Sequence, residues 1–531
     1  MNSYTLRNFR VFNDDGGTIH FAPLTILTGC NSSGKSSFTK SIKLVQPLLC
    51  QLAKNLKDGS FHSFTDYYAN FTCGQHKLGS FEKVINWLSD NDEFTVEYST
   101  QVMAYSGRSV RVAITFSPLD TAPDAYSPEQ DTWQVCSIDR NFTDKPRHLN
   151  RNRQIPYAGI RRILISDDET TQLIYEYHHG TDLQENAAIH TFQRLADMLT
   201  CFVDESKADD DAHVICRRRI PIPYKRFRYE HSEAINTSDS DILSTWGTRA
   251  DTGSDIRVDI EQFAELVCTE ALCAAEDITN AYFIEIDRSN LQRIYLFENQ
   301  GTSFNTNLER YIQIPDVITI DNPDNPNATS GNSYVKGTFI NKWLKRLLDV
   351  RLTVEPAPEG IGIYVYLIKT VNRRKVKVSI ADMGYGITPL IAMLVRIEYQ
   401  ICQYVSWSGT AYGRYNAATI FIEEPESNLH PNFQSMLADI FVDAASNYPI
   451  RFVFETHSEY FVRKFQVLVA SRHIKPDQIS INYLYDPDPR RRPANEPQVK
   501  HINIKENGGL TARFGTGFFD ESTRLSTELF K

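Results

Sequence analysis

Residues 24–42 read LTILTGCNSSGKSSFTKSI. An apolar strand, 24–28, passes into glycines and small polar residues, then into a lysine and the spacing of a helix. Gly29 through Ser36 match G-x-x-x-x-G-K-[ST] in full. The glycines let successive backbone N–H groups turn inward and form a concave anion site. The helix that opens there adds its positive N-terminal end. The phosphate-binding set is therefore Gly29, Asn31, Ser32, Ser33, Gly34, Lys35, Ser36 and Ser37. Lys35 is expected to reach the β- and γ-phosphates of a nucleotide, and Ser36 to ligate Mg²⁺. The bland alternative is a glycine-rich turn that happens to contain Lys-Ser; the strand before it and the helix after it argue against that.

Outward from this loop, 3–12 and 19–22 read as strands around Gly16-Gly17, and a helix is expected over 35–56. FTVEY (94–98) and VRVAITF (110–116) alternate as half-buried strands. From about 121 to 280 the character changes to Pro-rich and polar loops, with helices expected near 187–203 and 257–275. From 335 the α/β pattern returns. FINKWLKRLL is amphipathic, GIYVYLIKT and KVKVSI alternate as a hairpin, and TPLIAMLVRIEYQICQYV is a long apolar helix. TIFIEEPE and IRFVFETHS are buried-strand runs ending in polar residues. Apolar strands with acids or hydroxyls at their carboxyl ends fit a covered parallel sheet, and ligands bind at such ends.

The composition frames what such a site can serve. The 531 residues hold two or three domains' worth of core, with 41% apolar and 23% charged residues. A net charge of −10 argues against coating nucleic acid by charge alone, while leaving room for a local basic groove. The nine cysteines are scattered without zinc spacing and read as free thiols of a reducing compartment. The N-terminus shows no apolar signal region, and no run approaches the eighteen apolar residues of a membrane span. A cytoplasmic protein is expected.

Three further motifs carry chemistry. Thr419–Pro425 is an apolar strand ending in Glu423-Glu424. Phosphoryl transfer to water needs one carboxylate on the metal shell and another to orient the attacking water; Glu423 and Glu424 suit those jobs in that order. Taken alone, the pair also fits a solvated loop. Arg451–Ser458 is a second apolar strand, closed by Thr456-His457-Ser458, where His457 can hydrogen-bond a γ-phosphate. Gly384, Gly386 and Thr388 precede Pro389 at the start of the long apolar helix and form a second N–H-rich anion site. The basic-aromatic runs at 145–162 and 216–229 fit either a nucleic-acid or acidic partner or a solvated surface strand.

In this order, with FRVF, LGSFEKVI, ADMGYGIT, FIEEPESNLHP and ETHSEYFVRKFQ as local wording, the motifs resemble the ABC-type ATPases of the SMC/RecF/overcoming-lysogenisation-defect class. The resemblance covers roughly 1–116 and 280–531. It implies an α/β ABC-type P-loop ATPase head, with a mixed or parallel sheet core and an antiparallel lobe, divided into 1–120 and 281–531 by a mainly helical insertion, 121–280. It also implies two heads packed head-to-tail around ATP and Mg²⁺. Lys35, Ser36, Glu423, Glu424 and His457 would act from one head, and Gly384, Gly386 and Thr388 from the other. Glu424, His457 and Lys35 are the catalytic set, and Ser36 and Glu423 the metal ligands. Gln46 and Gln75 are alternatives for that family's glutamine loop. Two departures stand out: Glu423 replaces an aspartate, and Thr388-Pro389 replaces Ser-Gln, which removes an amide donor.

Relatives with a fused nuclease prompt a look at Asp486-Pro487-Asp488, which a hairpin running to VKHINIKENG explains better. No nuclease activity of the chain's own is expected. The chain is most similar to the ATPase component of Septu-type antiphage systems, including retron-associated ones. That likeness implies a homodimer or higher oligomer controlling a separate HNH-type nuclease, with a reverse transcriptase and its RNA–DNA in retrons. The alternative is an SMC/RecF-like DNA-repair ATPase that clamps DNA.

Overall fold

The computed structural model describes residues 2–58, most of 67–119, 133–134, 154–167, 171–176, parts of 271–358, 361–383, 387–408, 417–515 and 518–529. The chain opens with β1 (Ser3–Arg7), β2 (Gly17–His20), β3 (Leu24–Gly29) and α1 (Lys35–Asp58). Next come β4 (Tyr68–Asn70), β5 (Phe94–Val102), β6 (Arg108–Leu119), β7 (Trp133–Gln134), β8 (Tyr157–Asp167) and β9 (Thr171–Glu176). β10 (Ala281–Ile284), β11 (Tyr295–Leu296), β12 (Val317–Ile320) and β13 (Asn332–Val335) lead to α2 (Thr338–Leu348). β14 (Val350–Pro356), β15 (Gly362–Val371) and β16 (Arg374–Ser379) then precede α3 (Ile387–Ser408). The last stretch runs β17 (Ala418–Glu423), α4 (Pro431–Asn447), β18 (Ile450–Glu455), α5 (Glu459–Ala470), β19 (Ile479–Leu484), β20 (Val499–Ile502) and α6 (Glu521–Glu528).

Two compact units result: Met1–Ile19 with Ser36–Thr279, and His20–Lys35 with Asn280–Lys531. The first is built on an antiparallel sheet of order β2-β1-β5-β6-β8-β9-β7, with β4 on β8. Its core joins Phe9, Phe71, Phe81, Phe94 and Phe116 through ring contacts. α1 presents Phe38, Ile42, Val45, Leu49, Leu52 and Leu56, all buried at helical spacing, and Tyr4 of β1 meets Ser41 at 3.1 Å. Within 121–280 the described strands β7, β8 and β9 extend this sheet. The helix expected at 187–203 lies outside the described residues, and of 257–275 only 271–273 are described, as helix.

The second unit centres on a sheet of order β10-β17-β18-β3-β19-β20. All neighbours are parallel except the β19–β20 edge pair. Every residue of β3 and β19 is buried, the polar Thr25, Thr28, Ser480 and Asn482 included, as strands covered on both faces of a parallel sheet are. Phe441 of α4 packs against Phe452 and Phe454 of β18 and Phe461 of α5. β14, β15 and β16 form an antiparallel sheet, as the alternation at 362–379 predicts. α2 buries Phe339, Ile340, Trp343 and Leu344, and its N-terminus is capped from α3. Glu398, 0% exposed, accepts from the N–H groups of Gly337 (2.8 Å) and Ile340 (3.0 Å) and from the Tyr334 hydroxyl (2.9 Å). Among the described residues no helix is long and apolar enough to cross a membrane.

Candidate nucleotide site

β3 delivers the chain to Gly29 at the carboxyl edge of the parallel sheet. Gly29 has φ +135°, and a Cβ there would lie 2.1 Å from the Leu484 carbonyl of β19, so the position takes no side chain. Gly34 is also left-handed at φ +113°, and Ser32 holds φ +58° despite its Cβ. The loop is pinned from the neighbouring strands. Cys30 N–H donates to the Leu484 carbonyl at 3.1 Å, and Gln498 Nε2 to the Ser33 carbonyl at 3.4 Å. Lys35, 4% exposed, folds its Nζ onto the carbonyls of Gly29 (3.2 Å) and Cys30 (2.6 Å). Burial lowers its pKa, and Glu455, ahead of Cys30 and Glu424, opposes that shift. The Thr28 and Ser33 hydroxyls are buried and have no hydrogen-bond partner in the protein. Buried orphan hydroxyls beside left-handed glycines fit a cradle whose partners are a ligand's oxygens. Asn31 and Ser32 are exposed on its rim, and Ser36 and Ser37 open α1 directly after Lys35.

The acidic strand reaches the loop through an intermediary. Glu423 at the end of β17 stands in register with Glu455 at the end of β18, and Glu455 with Leu27 of β3. Glu424 then turns left-handed at φ +45°. Its N–H donates to the Glu455 carbonyl at 2.7 Å, and its carboxylate accepts from Ser427 Oγ at 2.7 Å. Beyond β18, Thr456 N–H donates to the Leu27 carbonyl at 3.0 Å, and His457 N–H to Oε1 of Glu426 at 2.8 Å. Ser458 caps α5 by accepting from Phe461 N–H at 3.1 Å. The His457 ring is exposed. Partial desolvation, then the charge of Lys35, lowers its pKa, and Glu424 acts the other way.

Lys35, Glu424 and His457 thus come within electrostatic reach of one another, with Glu423 beside them on the same edge. Sequence reasoning missed Glu455 and Glu426. A signal for Glu455 was present, since IRFVFE repeats the apolar-run-then-acid form of TIFIE in the strand that lies between the other two. Gly384 and Gly386 lie outside the described residues, as does the Thr388 side chain. Asp382, just before them, is held by Arg293 through paired contacts of 2.6 and 3.2 Å. Gln46 Nε2 donates to the Thr279 carbonyl at 3.3 Å, and Gln75 lies outside the described residues. Of the basic-aromatic runs, 154–162 is described and leads into β8; 145–153 and 216–229 lie outside. Asp488 caps a turn between β19 and β20, the expected hairpin, by accepting from Arg490 N–H at 3.0 Å. Among the described residues no group of three or more His, Cys, Asp or Glu side chains is placed to hold a metal ion. Ser36 and Glu423 offer hydroxyl and carboxylate oxygens, the hard donors that Mg²⁺ takes together with nucleotide phosphates.

Residues 276–462 match the AAA ATPase domain family. The matched span takes in Glu423, Glu424 and His457. No curated protein matches the chain. Similar solved structures include an SMC head bound to the C-winged helix domain of ScpA, with TM-score 0.39 and 9% identity over 95% of this chain and 98% of that one. The SMC head domain from Thermotoga maritima gives TM-score 0.34 and 8% identity over 95% and 98%. The Smc head with an extended coiled coil, bound to the C-terminal domain of ScpA derived from Pyrococcus furiosus, gives 0.32 and 11% over 100% and 99%.

Proposed function

We propose that this chain binds ATP in the loop 29–37 and hydrolyses it. The observation that carries the reading is the placement of β18 between β17 and β3, which brings Glu424 and His457 to the edge that holds Lys35. The loop amides and Lys35 would hold the phosphates, Glu424 would orient the attacking water, and His457 would meet the terminal phosphate. Ser36 and Glu423 would hold Mg²⁺, which neutralises charge on the phosphate oxygens when bound. The match of 276–462 to the AAA ATPase domain supports the same chemistry.

On the resemblance of the motifs, Gly384, Gly386 and Thr388 would serve a nucleotide bound by a second copy. ATP would then join two heads and set a state, rather than drive a fused effector. The partner proposed for that state is a separate HNH-type nuclease of an antiviral defence system, with a reverse transcriptase and its RNA–DNA in a retron setting. Lys35→Ala tests the site: it is expected to abolish nucleotide binding and protective activity, and unchanged ATP affinity would sink the assignment. Purification from the native context with mass spectrometry tests the partner. Recovery of an HNH nuclease supports the defence reading, and a DNA-repair complex would replace it.

A further inference from the structure

The two strand-end turns of the site are fastened to each other in both directions. Glu424 N–H donates to the Glu455 carbonyl at 2.7 Å, from the β17 turn to β18. His457 N–H donates to Glu426 Oε1 at 2.8 Å, from the β18 turn back to the β17 turn. Glu426 stands between two groups with work to do. It follows Glu424 by one proline, and Ser427 beside it holds the Glu424 carboxylate at 2.7 Å.

A carboxylate only 8% exposed is costly to keep. Burial raises the Glu426 pKa, and the hydrogen bond from His457 is the largest influence against that rise. The flanks of His457 are fixed as well. Thr456 is tied to β3 through the Leu27 carbonyl, and Ser458 Oγ donates to Gln434 Oε1 of α4 at 2.7 Å. Glu426 supplies the tie in between, to the backbone of the histidine itself.

We propose that Glu426 is a positioning residue for ATP turnover, holding the His457 backbone at a set distance from the turn that carries Glu424. The group that meets the terminal phosphate and the group that orients water then move as one body. This rests on the ATPase reading above. Glu426 acts through His457 and Glu424, and what it must supply is an acceptor oxygen at the right reach, more than a charge.

Steady-state ATP turnover by the full chain separates reach from charge. Glu426→Gln keeps the reach and removes the charge, so turnover stays within about threefold of wild type, the range of a tolerated contact. Glu426→Asp keeps the charge and withdraws the oxygen by one methylene, so kcat falls by about ten- to a hundredfold while KM for ATP holds. Glu426→Ala follows Asp. The reverse pattern, with Gln impaired and Asp active, overturns the proposal, as does undiminished kcat in Asp. A parallel loss of kcat, KM and melting temperature in both Gln and Asp makes Glu426 merely structural and also overturns it. Wild type that turns over no ATP removes the reading beneath, before any variant is compared, and the proposal with it.

Discussion

His457 is the residue at which the site's charges can be read one at a time. Its pKa lies below the ordinary 6.5, through desolvation first and Lys35 second, with Glu424 opposing. The sign follows: the fold favours the neutral ring, so the ring stays neutral on lowering the pH through 6.5 and protonates only further down. In the nucleotide-free chain an NMR titration of His457 is expected to show that low midpoint. Lys35→Met raises it, and Glu424→Gln lowers it further. Midpoints that ignore both substitutions would place His457 away from the site. At this scale the geometry of the loop 29–37 was legible because it is local: two left-handed glycines, a lysine and a hydroxyl lie close together along the chain. Glu455 and Glu426 were not. Glu426 in EEPES reads as loop solvent, and the nearness of Glu455 to Lys35 comes from strand order, which spacing along the chain does not encode.

Among the elements, α2 depends on a residue of another helix for its N-terminus. Gly337, in the N-cap position, has no side chain to offer, and Glu398 of α3 supplies the carboxylate instead. Burial raises the Glu398 pKa, and the hydrogen bonds from Ile340, Gly337 and Tyr334 oppose that rise. Glu398→Ala leaves two buried N–H groups and a hydroxyl without their acceptor, and is expected to cost about 2–4 kcal/mol in chemical denaturation. A loss under about 0.5 kcal/mol, the level of an ordinary surface change, would mean the cap carries no stability. Of the parallel strands, β3, β17 and β18 were legible as apolar runs, and β15–β16 as clean alternation. β8 was legible only as the surface-strand alternative for 145–162, because its period slips. Its pairing with β6 shifts register at Thr115/Phe116, passing over Arg161, which pairs with Glu93 at 2.9 Å. Two adjacent arginines in YAGIRRILISD therefore break the alternation that marks a strand.

For the whole molecule, the claim is that ATP is an interface component. In the proposed arrangement the loop 29–37 would supply one half of the site, and 384–388 of a second copy would supply the other. In that arrangement binding joins heads and hydrolysis parts them, so a chain that binds without turning over stays joined. Glu424→Gln keeps the turn anchored by its own N–H and removes the carboxylate proposed to orient water. Sedimentation of Glu424→Gln with and without ATP and Mg²⁺ is the direct measurement. The account predicts a monomer-to-dimer shift on adding ATP that outlasts the wild type's, and that Lys35→Ala abolishes. A Glu424→Gln chain of the same mass with and without saturating ATP would contradict it.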